Sequence, residues 1–179
     1  MTMRILCFGD SNTYGYDPRS YFGDRYDAQN RWVDLLAKET GAECVNAGMN
    51  GREIPRSAPA IQLSPEDLLL VMLGTNDLLQ GASAKETAAR MERFLDHLLP
   101  HTRILLVVPP PMQRGAWVSA DALVAESRNL AESYRQLAQE QNIPFVDTRQ
   151  WNIALTYDGV HFAEAGHHAF AKYLKEHLP

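Results

Sequence analysis

Short apolar runs alternate along the chain with longer stretches in which apolar residues recur every three or four positions. The runs cover residues 3–8, 44–46, 67–73, 103–108 and 144–146, and their lengths suit strands. The third and fourth are continuously apolar, as strands covered on both faces are. Between them, amphipathic spacing predicts helices over about 31–40, 85–98, 121–141 and 164–177. Ser83 and Ser119 stand where N-caps belong, and Gly41 suits a helix end. Strand and helix in alternation predict an α/β protein built on a parallel sheet.

Two connections are too long for plain turns. Residues 13–30 are polar and rich in aromatics (Tyr14, Tyr16, Tyr21, Phe22, Tyr26), and 109–118, "PPPMQRGAWV", is stiffened by consecutive prolines. Loops of this length in a compact domain commonly belong to a binding site.

Composition narrows the class. A chain of 179 residues reads as one domain, 1–179, able to bury roughly 70% of its unfolded surface without staples. Net charge is −5 with Lys and Arg scattered, so no basic face offers itself to nucleic acid. The longest apolar run, "DLLLVML", falls far short of the roughly 18 residues of a membrane span. The N-terminus lacks a signal-peptide apolar region, and the expectation is a cytoplasmic protein. Two cysteines make no disulfide framework, and Cys7 and Cys44 read as buried, inert thiols.

The chemistry gathers after the apolar runs. "CFGDSNTYGY" places Ser11 just past the first run. A nucleophilic serine needs a base in reach, and a strand end turning into a helix presents backbone N–H groups to negative charge. The plain alternative is a Gly-Asp-Ser-Asn turn. Of six histidines, five read as surface or capping residues. His161 differs, because in "TYDGVHF" Asp158 precedes it by three and can hold its Nδ1 proton. "VMLGTNDLL" puts the Asn76 amide after the third run, and "VNAGMNGRE" puts Gly48 and Gly51 after the second, each a candidate oxyanion donor. In a sheet of order 2-1-3-4-5 these positions converge at the switch point, beyond the carboxyl ends of the strands.

These blocks, "FGDSNTYG", "NAGMNG", "LGTND" and "DGVHF", occur in order along nearly the whole chain and resemble the SGNH hydrolases, the GDSL-type esterases. Details such as "RILCFGDSNTYGY", Arg31-Trp32 and "MLGTND" are most similar to the arylesterase and acyltransferase branch. The resemblance implies a flavodoxin-like three-layer α/β/α sandwich around a five-stranded parallel sheet. It implies Ser11 as nucleophile, His161 as base and Asp158 as its orienting acid. Ser11 and Gly51 backbone N–H groups and the Asn76 amide would form the oxyanion hole. The name-giving motif has leucine where this chain has Asn12, which makes the wall beside the serine more polar.

The function expected is therefore a serine esterase acting through an acyl-enzyme on small, short-acyl esters (acetyl or aryl), with acyl transfer as a side activity. A carbohydrate O-deacetylase with the same triad, or a phosphate-binding flavodoxin-like module, are the alternatives. Asn12, Tyr14 and Trp117 are candidate substrate contacts, with Tyr16 and Trp151 beside them. Asp10 and Asp77 are expected to orient their turns by accepting backbone hydrogen bonds. Arg52 is a candidate for meeting an anionic substrate, a solvated surface arginine being the plainer reading. Adjacent His167 and His168 leave a helix about 100° apart, so with Glu164 they do not make a zinc site. No metal or cofactor is expected, the partner is a small-molecule ester, and a homo-oligomer is left open.

Overall fold

The computed structural model describes residues 3–57, 61–98 and 102–179. Five strands, β1 (Arg4–Gly9), β2 (Glu43–Gly48), β3 (Leu68–Met72), β4 (Arg103–Val107) and β5 (Phe145–Val146), form one parallel sheet of order β2-β1-β3-β4-β5. The chain runs outward from β1 to β2, then returns to the other side of β1 for β3. The carboxyl ends of β1 and β3 therefore lie side by side, Gly9 opposite Met72.

Six helices complete the fold: α1 (Ser11–Tyr14), α2 (Trp32–Thr40), α3 (Thr75–Leu79), α4 (Ala84–Asp96), α5 (Asp121–Gln141) and α6 (Glu164–Lys175). Alternate residues of each strand feed two cores. Leu6, Phe8, Leu69, Val71, Ile104 and Leu106 pack on one face, against Met91 and Phe94 of α4 and Leu130 and Tyr134 of α5. Ile5, Cys7, Leu68, Leu70 and Leu105 pack on the other, against Trp32 and Leu36 of α2 and Phe170 and Leu174 of α6. Burial on both faces is why β3 and β4 are apolar without alternation.

Helix ends follow local chemistry where a side chain supplies it. Ser83 caps α4 in a capping box, its hydroxyl accepting from Glu86 N while Glu86 accepts from Ser83 N at 2.8 Å. Gly41 ends α2 at φ 72°. Ser119 does not cap α5. The helix begins after Ala120, and Ser119 instead offers its carbonyl to the Arg114 guanidinium.

Other expectations are corrected by packing. α1 and α3 are only four and five residues long, too short to register as a 3.6-residue period. α4 and α6 end before Leu98 and His177. Cys44 is half-buried rather than buried. Cys7 is buried, and the neighbouring Cys44 thiol, together with burial, pushes its thiol up. His97, His168 and His177 are surface residues, whereas His101 lies outside the described residues. His167 is fully buried, between Tyr26 and Phe162. Trp151 meets Phe170 edge-on at 5.3 Å, lies tilted against Tyr173 and packs against the core beneath α6.

Candidate active site

Ser11 opens α1 directly after β1, and the turn that places it is tightly packed. A Cβ on Gly9 would stand 2.0 Å from Thr13 Oγ1 and 2.9 Å from Met72 O, so only glycine lets the chain pass. Asp10 caps α1, its carboxylate accepting from Asn12 N at 2.9 Å, which is the turn-orienting duty expected of it. Ser11 is 7% exposed, and its Oγ lies 3.0 Å from His161 Nε2, across 150 residues of chain. His161 Nδ1 lies 2.7 Å from Asp158 Oδ2. A carboxylate only accepts, so Nδ1 carries the proton and Nε2 faces Ser11 as an acceptor.

Asp158 holds more than the ring. Its Oδ1 accepts from both Val160 N and His161 N, each at 2.9 Å. Burial pushes the carboxyl up, but the bonds from the His161 ring and the two amides, with the imidazole's charge, outweigh it and hold it at about 2. Asp158 is therefore ionised wherever the protein is folded and working.

The proline-rich segment 109–118 walls this turn. Gln113 N donates to Gly159 O, Ala116 N to Tyr157 O and Trp117 N to Asp158 O, each at 3.0 Å. Gly159 adopts φ +81°, and a Cβ there would stand 2.1 Å from Gln113 O. Across the contact, a Cβ on Gly115 would stand 2.4 Å from Asp158 C. Two glycines thus let the wall and the acid-base turn approach backbone to backbone. Neither requirement shows in the local sequence, because each arises only where the two segments meet.

The donor positions gather on the same edge. Gly48 is occupied: its N–H donates to Asn46 Oδ1 at 3.0 Å, and a Cβ on it would meet Tyr14 N at 2.1 Å. Gly51 sits three residues on at φ +71°, exposed, and among the described residues its N–H has no protein acceptor. Asn76 opens α3 after β3 and is half-buried. Its Nδ2 donates to Arg52 O at 3.1 Å and makes a longer, 3.4 Å contact with Asp10 Oδ2. Asp77 is fully buried, its Oδ2 accepting from Ile54 N at 3.1 Å and its Oδ1 pairing with Arg90 at 2.8 Å.

Aromatic rings flank the base. Tyr16 meets the His161 ring edge-on at 4.9 Å, and Trp117, 53% exposed, meets it at 5.1 Å. Tyr14 does otherwise, lying under the Arg25 guanidinium at 4.3 Å. Arg52 is half-buried, packing over the Phe8 ring and donating from Nη1 to Gly9 O at 2.9 Å, so one arm of its guanidinium is committed to the strand ends. Asn12 is 5% exposed, and its amide bonds Val160 O and Phe162 N. Both of its polar ends are taken, so it presents no open wall to substrate.

The assembled residues make nucleophilic acyl chemistry feasible: a serine within reach of an oriented imidazole, with the Gly51 N–H and the Asn76 amide on the same edge of the sheet. Comparison with known proteins agrees. The chain matches the GDSL-like Lipase/Acylhydrolase family over residues 7–169. A carbohydrate acetylesterase family member from Sinorhizobium meliloti superposes with a TM-score of 0.82 at 26% identity, covering 98% of this chain and 96% of that one. The native aryl esterase of M. smegmatis gives the same score and identity, covering 98% and 97%. A structure provisionally described as an arylesterase from Agrobacterium tumefaciens is 28% identical, with a TM-score of 0.82 and coverage of 98% and 97%. No curated protein sequence matches the chain significantly.

Proposed function

The chain belongs to the GDSL-like lipase/acylhydrolase family, and from that premise we propose that it is a serine esterase of small, short-acyl esters, acetyl esters first among them. The observation that carries this reading is the relay Ser11 Oγ–His161 Nε2, 3.0 Å, and His161 Nδ1–Asp158 Oδ2, 2.7 Å.

In this reading His161 Nε2 accepts the Ser11 proton as Oγ attacks the ester carbonyl. The oxyanion takes hydrogen bonds from Ser11 N–H and Gly51 N–H. Asn76 Nδ2 keeps one hydrogen on Arg52 O and turns the other from its long contact with Asp10 to the oxyanion. His161 then returns its proton to the leaving alcohol, and a water activated by the same nitrogen releases the acid. Asp158, ionised throughout, stabilises the imidazolium.

The short-acyl preference is supported by Tyr16 and Trp117, both of which meet the base edge-on, at 4.9 and 5.1 Å. A sugar acetate is a second acceptable substrate, because one structural relative is a carbohydrate acetylesterase and the acyl group is the same. Transfer of the acyl group to an alcohol uses the same steps, with that alcohol in place of water. Initial rates on p-nitrophenyl esters from acetate to octanoate, with Ser11→Ala alongside, test the reading. Acetate fastest and the variant inactive is the expected result; a variant at the full rate overturns it.

A further inference from the structure

The residue after the nucleophile is tied to the base by its own side chain. Asn12 Nδ2 donates to Val160 O at 3.0 Å, and Asn12 Oδ1 accepts from Phe162 N at 2.9 Å. Val160 and Phe162 are the two neighbours of His161. One carboxamide therefore grips the chain on both sides of the base, from a position adjacent to Ser11. The amide has one orientation that satisfies both contacts, with the nitrogen toward the carbonyl and the oxygen toward the N–H.

The rest of Asn12 is equally committed. Its N–H donates to Asp10 Oδ1 at 2.9 Å, and its carbonyl accepts the Trp32 indole N–H at 3.0 Å. With no freedom of its own, it transmits the position of α1 to the His161 segment.

That segment needs such a hold. Residues 160–162 belong to no strand or helix of the sheet, and their three backbone N–H groups all end on side chains. Asp158 takes those of Val160 and His161, and Asn12 takes that of Phe162. Asp158 sets the rotation of the imidazole, because it bonds Nδ1 directly. It does not set the distance to Ser11, because it lies on the same turn as His161. Among these contacts, Asn12 is the one that joins the base segment to the nucleophile's own helix.

We infer that Asn12 is a positioning residue for the reaction, fixing the separation of Ser11 Oγ and His161 Nε2 through its bidentate grip on residues 160 and 162. The inference rests on the reading of Ser11 as nucleophile and His161 as base. It replaces the polar substrate wall that the sequence suggested for this position.

Three variants test it, with p-nitrophenyl acetate as substrate. Asn12→Leu keeps the branched shape, in a somewhat larger side chain, and removes both hydrogen bonds. Its kcat is expected to fall about ten- to hundredfold, as small displacements of reacting groups do, with KM little changed. Asn12→Asp keeps the shape but sets a carboxylate oxygen against Val160 O at neutral pH. Once that carboxyl takes up a proton its O–H restores the lost donor, so kcat relative to the unaltered protein is expected to rise as pH falls from about 8 to about 5. Ser11→Ala, run in parallel, reports on the underlying reading alone. Should Ser11→Ala be inactive while both Asn12 variants stay within about twofold of the parent kcat, the positioning role is overturned. It is overturned equally if activity falls only in proportion to the unfolded fraction seen by thermal melting, the folded remainder working at the parent rate. A Ser11→Ala variant that keeps its rate is a different result, and it removes the esterase reading beneath.

Discussion

Asp10 Oδ2 and Asn76 Nδ2 stand 3.4 Å apart, so the residue before the proposed nucleophile touches the side chain proposed to hold the oxyanion. Asp10 is nearly fully buried, and burial raises its carboxyl to about 6 despite the Asn12 amide, His161 and Arg52, all of which favour the charged form. From about pH 4 to about 6 the unfolded chain has released this proton while the folded protein retains it. Stability therefore falls as pH rises through that window, and the cost persists above it. Asp10→Asn removes the cost. At pH 7 the variant is expected to gain about 1–2 kcal/mol, or some 2–4 °C in melting temperature per kcal/mol. The gain should vanish below about pH 4. Its kcat should fall, because an anion near His161 favours the imidazolium. Melting curves across pH check the first statement, and a melting temperature at neutral pH no higher than the parent's contradicts it.

Asp158 titrates in the opposite sense. Its folded carboxyl sits at about 2, below the ordinary 3.8, so its contribution to stability is complete above about pH 4 and is lost as pH falls toward about 2. Asp158→Asn should therefore differ from the parent in stability at pH 7 and converge with it near pH 2. In turnover the amide can no longer fix the Nδ1 proton, and kcat should drop by about three to four orders of magnitude with KM little affected. A variant within tenfold of the parent rate contradicts the relay, by about the margin that separates an orienting acid from a bystander.

Much of this arrangement was legible in the residues, and the remainder fails for identifiable reasons. β3 and β4 declared themselves because double-sided burial leaves no polar position to interrupt them. Ser11, Asn76 and the Asp158–His161 pair stand at strand ends in the order that a 2-1-3-4-5 sheet brings together. His167 reads as a surface or capping histidine and is buried instead, although its place three and four residues before Phe170 and Ala171 on the apolar stripe of α6 is a signal for burial. The grip of Asn12 was not readable, because it depends on two partners about 150 positions away whose approach no local pattern encodes. Gly115 was invisible for the same reason, its need for a missing Cβ arising only when segment 109–118 meets the Asp158 turn.

Three glycines at the site predict two different outcomes. Gly159→Ala combines φ +81° with a Cβ 2.1 Å from Gln113 O, a backbone atom that cannot yield without moving the wall. Gly48→Ala drives its Cβ to 2.1 Å from Tyr14 N and displaces α1. Each should cost about 2–4 kcal/mol, Gly159→Ala through strain and overpacking and Gly48→Ala through overpacking alone, and should abolish turnover at ordinary temperature. Gly51→Ala has φ +71° but nothing within 4 Å of the new methyl, so it should cost only about 1 kcal/mol and keep its N–H. Urea unfolding midpoints on the three variants give the order directly, and Gly51→Ala as destabilising as Gly159→Ala sinks the argument.

Trp117 supplies the prediction closest to specificity. Its ring meets His161 edge-on at 5.1 Å, as Tyr16 does at 4.9 Å, yet half of it faces solvent. Its backbone is separately anchored through its N–H to Asp158 O at 3.0 Å, so removing the ring leaves the wall in place. Trp117→Ala should therefore leave stability within about 1 kcal/mol, because a half-exposed side chain forfeits little buried area. Longer acyl chains should then gain on acetate in kcat/KM, by about ten- to a hundredfold for butyrate and hexanoate, the range that one or two methylenes command in an apolar site. Tyr16→Ala removes the other ring and should shift the profile independently if the two rings bound different parts of the ester. The p-nitrophenyl ester series read on both variants separates the cases. An unchanged chain-length profile in Trp117→Ala means that the indole shields the imidazole from water without contacting the acyl group, and the acyl site then lies against Tyr16.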